Sequence, residues 1–122
     1  MNKNGKINYV EFPTKDLAAS KVFFEQVFDW RFEDYGPEYT AFFDTQTGLD
    51  GGFFKSELAS TTANGAALIV FYSDAIKATQ AKIEAAGGSI SKALFSFPGG
   101  QRFHFIEPSG NELAVWTDVV DA

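Results

Sequence analysis

The apolar pattern of this chain completes one cycle and then starts again. Lys6 to Phe12 alternates and is rich in β-forming residues, so it reads as a strand, ended by Pro13. Thr14 or Asp16 can cap the helix that follows. Its apolar positions Leu17, Phe24, Val27 and Phe28, with Ser20 between them, have helical spacing. Trp30 to Tyr35 alternates again, Gly36-Pro37 makes a turn, and Tyr39 to Phe43 is a third strand. A turn at Thr45-Gln46-Thr47-Gly48 leads into a short fourth strand, Gly51 to Phe54. Lys55 to Gly65 has no period and reads as a linker across the surface. The second cycle opens with a strand at Ala66 to Tyr72. Asp74 is positioned to cap a helix with Ile76, Ile83 and Ala86 on one face, and Gly87-Gly88 stop it. Ser89 to Phe95, Arg102 to Ile106 and Glu112 to Thr117 are the remaining strands. Pro98-Gly99-Gly100 and Pro108-Ser109-Gly110-Asn111 are turns between them.

Each half therefore reads strand, helix, strand, strand, strand, and takes up about 60 of the 122 residues. A small sheet with one helix on one face leaves its other face to be covered by something else. Two such halves either face each other or share a curved sheet that encloses a cleft. A chain of this length is one domain's worth.

Composition narrows the function classes. The chain has no cysteine, which excludes a disulfide scaffold, a zinc ribbon, an iron–sulfur cluster and a cysteine nucleophile. Its one histidine, His104, excludes a site built from two imidazoles of one chain. Ten basic residues are scattered among sixteen acidic ones for a net charge of −6, which excludes a nucleic-acid binder. Such acidity suits a cationic ligand or simply keeps the protein soluble. Apolar runs fall far short of the ~20 residues that span a bilayer, so no membrane partner is expected. The polar start, Met1 to Lys6, lacks the apolar stretch of a signal peptide, and a cytoplasmic location is expected. Phenylalanine occurs 14 times. Phe12, Phe24, Phe28, Phe71, Phe103 and Phe105 are expected between sheet and helices in two small cores. The adjacent pairs Phe42-Phe43 and Phe53-Phe54 must each send one ring to the opposite side of a strand.

Three motifs resemble the vicinal oxygen chelate superfamily, the glyoxalase, bleomycin-resistance and extradiol dioxygenase group. Phe12 to Leu17 followed by Phe23 to Trp30 is similar to its opening strand, turn and aromatic helix. Lys82 to Gly88 resembles the end of its second helix, and Glu107-Pro108-Ser109-Gly110-Asn111 its Asp-Pro-Asp-Gly-Asn turn. In order, they cover nearly the whole chain. The resemblance implies an α+β fold in which two tandem βαβββ modules form a curved mixed sheet around a cleft, with helices on the outer face. Module one is expected at about 6–55, a linker at 56–65 and module two at 66–118, within a single glyoxalase-like domain. A homodimer is implied as well.

In many members of that group the cleft holds a divalent metal on His, Glu or Gln side chains of the first and fourth strands of each module. Carried onto this sequence, those positions fall on Tyr9, on or near Gly52, on Leu68 and on Ala114. Gly, Leu and Ala offer no donor, and hard divalent cations want carboxylates or imidazoles. No cofactor is expected at these positions. A rearranged divalent site would have to use Glu11, His104 and Glu112.

Strand parity from the same positions turns Tyr9, Glu11, Leu68, Tyr72, Arg102, His104, Glu112, Ala114 and Trp116 toward one cavity. An aromatic wall with a few convergent polar groups is the usual form of a small-molecule site. Glu11 and His104 are the candidate catalytic pair; the others are candidate ligand contacts. His104 is a proton shuttle or a hydrogen-bonded structural residue. Glu11 is a general base or the ion-pair partner of Arg102. Arg102 holds a carboxylate or phosphate, or is a solvated edge residue. Tyr9, Tyr72 and Trp116 stack on a planar ligand or merely pack. The leading reading is a metal-free protein that binds a small organic molecule, as the bleomycin-resistance branch sequesters drugs between dimer partners. The alternative is a lyase or isomerase of the lactoylglutathione lyase type, with a nonstandard metal site or metal-free Glu/His acid–base chemistry. A stand-alone interaction module has only the empty metal positions behind it.

Overall fold

The computed structural model describes residues 2–44 and 48–119. Thr45 to Thr47, in the expected turn, lie outside the described residues. The elements are β1 (Tyr9–Thr14), α1 (Leu17–Phe28), β2 (Arg31–Asp34), β3 (Tyr39–Phe43), β4 (Asp50–Lys55), β5 (Ile69–Tyr72), α2 (Ile76–Ala85), β6 (Ser89–Phe97), β7 (Gly100–Ile106) and β8 (Glu112–Thr117). A short 3-10 turn, Thr62–Asn64, lies in the linker. The strands form two four-stranded sheets, ordered β1-β4-β3-β2 and β5-β8-β7-β6. In each, the first strand pairs in parallel with the last and the rest are antiparallel. The βαβββ repeat read from the sequence is thus the repeat of the fold.

Pro13 does not end its strand. β1 runs on to Thr14, with Pro13 opposite Phe54. The strand is at the sheet edge, and its one neighbour leaves room for a residue without an N–H. Asp16 caps α1 as expected, its carboxylate accepting from the Ala19 N–H at 3.1 Å. Asp74 does not cap α2. The cap residue is Ala75, and the Ser73 hydroxyl accepts its N–H at 3.1 Å. Ser73 thereby performs the local turn bonding that Asp74 offered.

Alternation sets the two faces of each sheet. Val10, Phe12, Ile69, Phe71, Phe103, Phe105, Leu113 and Val115 turn toward the helices. Of the adjacent phenylalanines, Phe42 and Phe53 are buried, while Phe43 and Phe54 are each 39% exposed. The expected two cores are a single one, because α1 serves both sheets. Phe24 packs on Phe53 of the first sheet at 5.3 Å between ring centres. Phe23 reaches Phe105 at 6.0 Å and Phe28 stacks on Phe71 at 4.0 Å, both in the second sheet. Rings buried this way contribute roughly 1.5–3 kcal/mol each.

A polar seam also ties the halves together. Three buried hydroxyls, Thr14, Ser20 and Ser109, lie within 2.5–2.9 Å of one another. The Asn111 side chain donates to the Pro13 carbonyl at 2.7 Å and accepts from the Ser60 N–H at 2.8 Å. Beside them Glu107 is 1% exposed. One of its carboxyl oxygens accepts the Asn111 N–H at 3.1 Å; the other has no hydrogen-bond partner among the described residues. Burial pushes the Glu107 carboxyl up to about 7 against the pull of the Asn111 and Ser109 N–H groups. Among the described residues, no helix is long and apolar enough to cross a membrane.

Candidate functional site

The sheet faces turned away from the helices each carry a polar cluster. On the first sheet, Tyr39 of β3 donates to Glu11 of β1 at 2.9 Å. Tyr9 and Tyr39 hydroxyls are 2.6 Å apart. Since the Tyr39 proton goes to Glu11, Tyr9 must be the donor of that second bond. Burial, Tyr9 and Glu11 together hold the Tyr39 phenol above its ordinary range, so it stays protonated. Gly52 stands opposite both Glu11 and Ala41. A Cβ there would lie 2.0 Å from the Tyr39 hydroxyl, so glycine is what admits the ring.

On the second sheet, His104 of β7 is 5% exposed and held from both sides. Its Nδ1 is 2.9 Å from Glu112 Oε2. Its Nε2 is 3.2 Å from Arg102 Nε and 2.9 Å from Arg102 Nη2. A guanidinium can only donate, so Nε2 accepts and the ring proton sits on Nδ1, shared with Glu112. The histidine in this arrangement is neutral. The other Glu112 oxygen accepts from the Thr62 N–H and hydroxyl, each at 2.8 Å. His104 first, and then the Thr62 donors, hold the Glu112 carboxyl below its usual range against the opposing effect of burial.

Aromatic rings surround this network. The Arg102 guanidinium lies 5.7 Å from the centre of the Phe95 ring, and the Lys92 ammonium 5.6 Å from the same ring. Phe95 is 6.1 Å from His104. Tyr72 meets Trp116 edge-on at 5.2 Å, and Phe97 is 6.3 Å from Trp116. The register explains the grouping. His104, Ala114 and Val70 are neighbours across three strands, as are Arg102, Trp116 and Tyr72. The Tyr72 hydroxyl donates to Asp118, which raises its phenol above the ordinary range.

The candidate residues therefore divide. Arg102, His104, Glu112, Ala114, Trp116 and Tyr72 share one sheet face. Leu68 sits just before β5 and is half-buried. Tyr9 and Glu11 belong to the other sheet, and among the described residues no hydrogen bond joins the two clusters. Glu11 pairs with Tyr39 rather than with Arg102, and His104 is oriented by Glu112 rather than matched with Glu11. Sequence reasoning missed Tyr39, Lys92, Phe95 and Thr62. Tyr39 and Lys92 follow from the cross-strand register, which is not local information. Thr62 is a linker residue without a period to place it.

The positions at which the family resemblance implies a metal do not suit one. Tyr39 fills the space beside Gly52, and Leu68 and the fully buried Ala114 have no donor; in the rearranged set, Glu112 is committed to His104 and Thr62. Among the described residues, no three His, Asp or Glu side chains are grouped to hold an ion. A separate cavity of about 190 Å³ opens between Val10, Trp30, Phe42, Ile69 and Phe71, and none of the candidate residues lines it.

Residues 6–115 match the family described as the Glyoxalase/Bleomycin resistance protein/Dioxygenase superfamily. No curated protein matches the sequence. Several solved structures share the fold. One is a glyoxalase/bleomycin resistance protein/dioxygenase family enzyme from Burkholderia phytofirmans PsJN, at TM-score 0.76 and 18% identity over 92% of this chain and 98% of that one. A genomically encoded fosfomycin resistance protein, FosX, from Listeria monocytogenes aligns at TM-score 0.76 and 15% identity over 98% of both chains. TioX from Micromonospora sp. ML1 aligns at TM-score 0.68 and 17% identity, over 94% of this chain and 100% of that one.

Proposed function

The chain belongs to the glyoxalase/bleomycin resistance/dioxygenase superfamily, and from that premise we propose that it binds a small organic molecule over the outer face of the second sheet, without a metal. The observation that carries this is the Glu112–His104–Arg102 network ringed by Phe95, Phe97, Tyr72 and Trp116. Trp116 and Tyr72 offer apolar area for a planar ligand; Arg102 and His104 offer the few directed polar contacts that such sites use. A homodimer completes the reading. The first-sheet face of a second copy, with Tyr9, Glu11 and the exposed Phe43 and Phe54, supplies a lid for this face.

Thermal shift against a panel of planar cationic, neutral and anionic compounds tests the proposal. A ligand at 100 times its Kd stabilises by about 2.7 kcal/mol, a readable rise in Tm. Trp116→Ala should abolish the rise for whichever compounds give one. A panel without a single shift counts against the reading.

The Glu112–His104 pair favours a second reading, metal-free acid–base catalysis. A carboxylate that fixes the tautomer of a histidine leaves its far nitrogen as the base, here once Arg102 releases Nε2. His104→Ala would then remove turnover of an identified substrate while leaving its binding within a few-fold. Retained turnover would sink this second reading.

A further inference from the structure

We propose that the ligand of the second-sheet face is a planar aromatic anion of the carboxylate class, and that its binding draws Arg102 off His104 Nε2. The proposal rests on the binding role argued above and names its ligand chemistry. Net charge alone, at −6, would favour a cationic ligand. The local arrangement is the reverse. Lys92 and Arg102 converge on the one Phe95 ring at 5.6 and 5.7 Å. Neither has a carboxylate within ion-pair distance among the described residues.

The nearest acid on the face, Glu112, is spent. Its two oxygens are taken by His104 and by the two Thr62 donors. Arg102 instead gives two N–H groups to a neutral imidazole. That is a weak partner for a guanidinium. A carboxylate instead brings the opposite charge and accepts both N–H groups in a fork that matches the planar guanidinium. A ligand carboxylate therefore outcompetes His104 for Arg102, with Lys92 as the second cation and Phe97 and Trp116 beside them for the ring. Once Arg102 turns to the ligand, the lone pair on Nε2 is freed next to the bound molecule. The side chains facing His104 in this change are Arg102 from its own strand, Glu112 and Ala114 from β8, and Lys92 and Phe95 from β6.

Because His104 is the only histidine, its two ring nitrogens give unambiguous ¹⁵N resonances. The full chain is titrated with 1-naphthoate and with its neutral isostere 1-naphthamide. The expected result is at least a tenfold tighter Kd for the acid, a preference that shrinks as salt is raised. Saturating naphthoate should move the Nε2 resonance while Nδ1 stays protonated, and naphthamide should leave Nε2 in place. Arg102→Gln should bring the acid down to the affinity of the amide. Equal affinities for acid and amide in the unmodified chain overturn the anion claim and leave the binding face standing. Tight naphthoate binding with an unmoved Nε2 overturns the exchange at Arg102. Failure of both compounds to bind overturns the ligand class and counts against the binding face as well.

Discussion

Glu107 is a buried carboxyl whose chemistry departs far from its ordinary value. Its carboxyl is pushed up to about 7 by burial, against an unperturbed 4.5. The folded state therefore prefers the protonated form. The associated stability is complete below pH ~4.5 and is lost as pH rises through about 7. A shift of this size corresponds to a loss on the order of 3 kcal/mol. Urea midpoints measured from pH 5 to 8 should fall across this range for the unmodified chain. They should stay flatter for Glu107→Gln, which overtakes it above pH 7. Parallel pH profiles for the two proteins would show that Glu107 is not the source. At Gly52, alanine would set a Cβ 2.0 Å from the Tyr39 hydroxyl. Displacing that ring breaks the Tyr9–Tyr39–Glu11 chain and should cost roughly 1–3 kcal/mol in thermal denaturation. Tyr39→Ser in the same chain should recover part of it. The sequence made Tyr9 and Glu11 visible through strand parity. It could not display Tyr39 between them, because that contact depends on which strands pair.

Among the elements, α1 is the one whose role exceeds its sequence signature. Apolar spacing and the Asp16 cap announced the helix, but only the structure reveals that Phe23 and Phe28 leave its own sheet for the other. Periodicity tells which residues are buried and is silent on what buries them. The consequence is cooperative unfolding of both halves. Trp30 stacks on Phe42 in the first sheet at 4.0 Å, and Trp116 lies on the second. Single-tryptophan variants Trp30→Phe and Trp116→Phe should each give a fluorescence transition that coincides with its own far-UV dichroism. Phe23→Ala should lower both together, by about 3–5 kcal/mol. Two separated transitions would mean two cores after all. The helix caps supply a sharper contrast. Asp16→Ala should cost about 0.5–2 kcal/mol, since its carboxylate holds the Ala19 N–H. Asp74→Ala should be near neutral, because Ser73 already holds the Ala75 N–H. An aspartate before a helix looks alike in both places. Which hydroxyl or carboxylate reaches the N–H is decided by the turn, not by the letter.

At the scale of the whole molecule, the duplication was legible because two cycles of the same period cannot arise from one sheet and one helix. A single cleft shared by both sheets is a further step that parity alone does not supply. Parity orders residues within a sheet, but where the two sheets stand depends on the rings between them. Here both helix-side faces meet in one core, so Tyr9 and His104 look outward from it on different sheets. The outward surface, with Phe43 and Phe54 at 39% exposure on the first sheet and Val70 at 41% and Tyr72 at 51% on the second, is apolar area that a lone chain leaves to water. In the proposed dimer a second copy covers it and encloses the Arg102–His104 face at the same time. Phe54 is the place to test this, since its neighbour Phe53 alone points into the core. Phe54→Glu should leave the fold and the far-UV spectrum intact. Sedimentation equilibrium should read a dimer for the unmodified chain and a monomer for the variant. If the lid belongs to the site, any compound that raises Tm should bind the variant at least tenfold more weakly. A variant that stays dimeric would move the interface elsewhere. A monomer that binds as well as the unmodified chain would mean that the second-sheet face works alone.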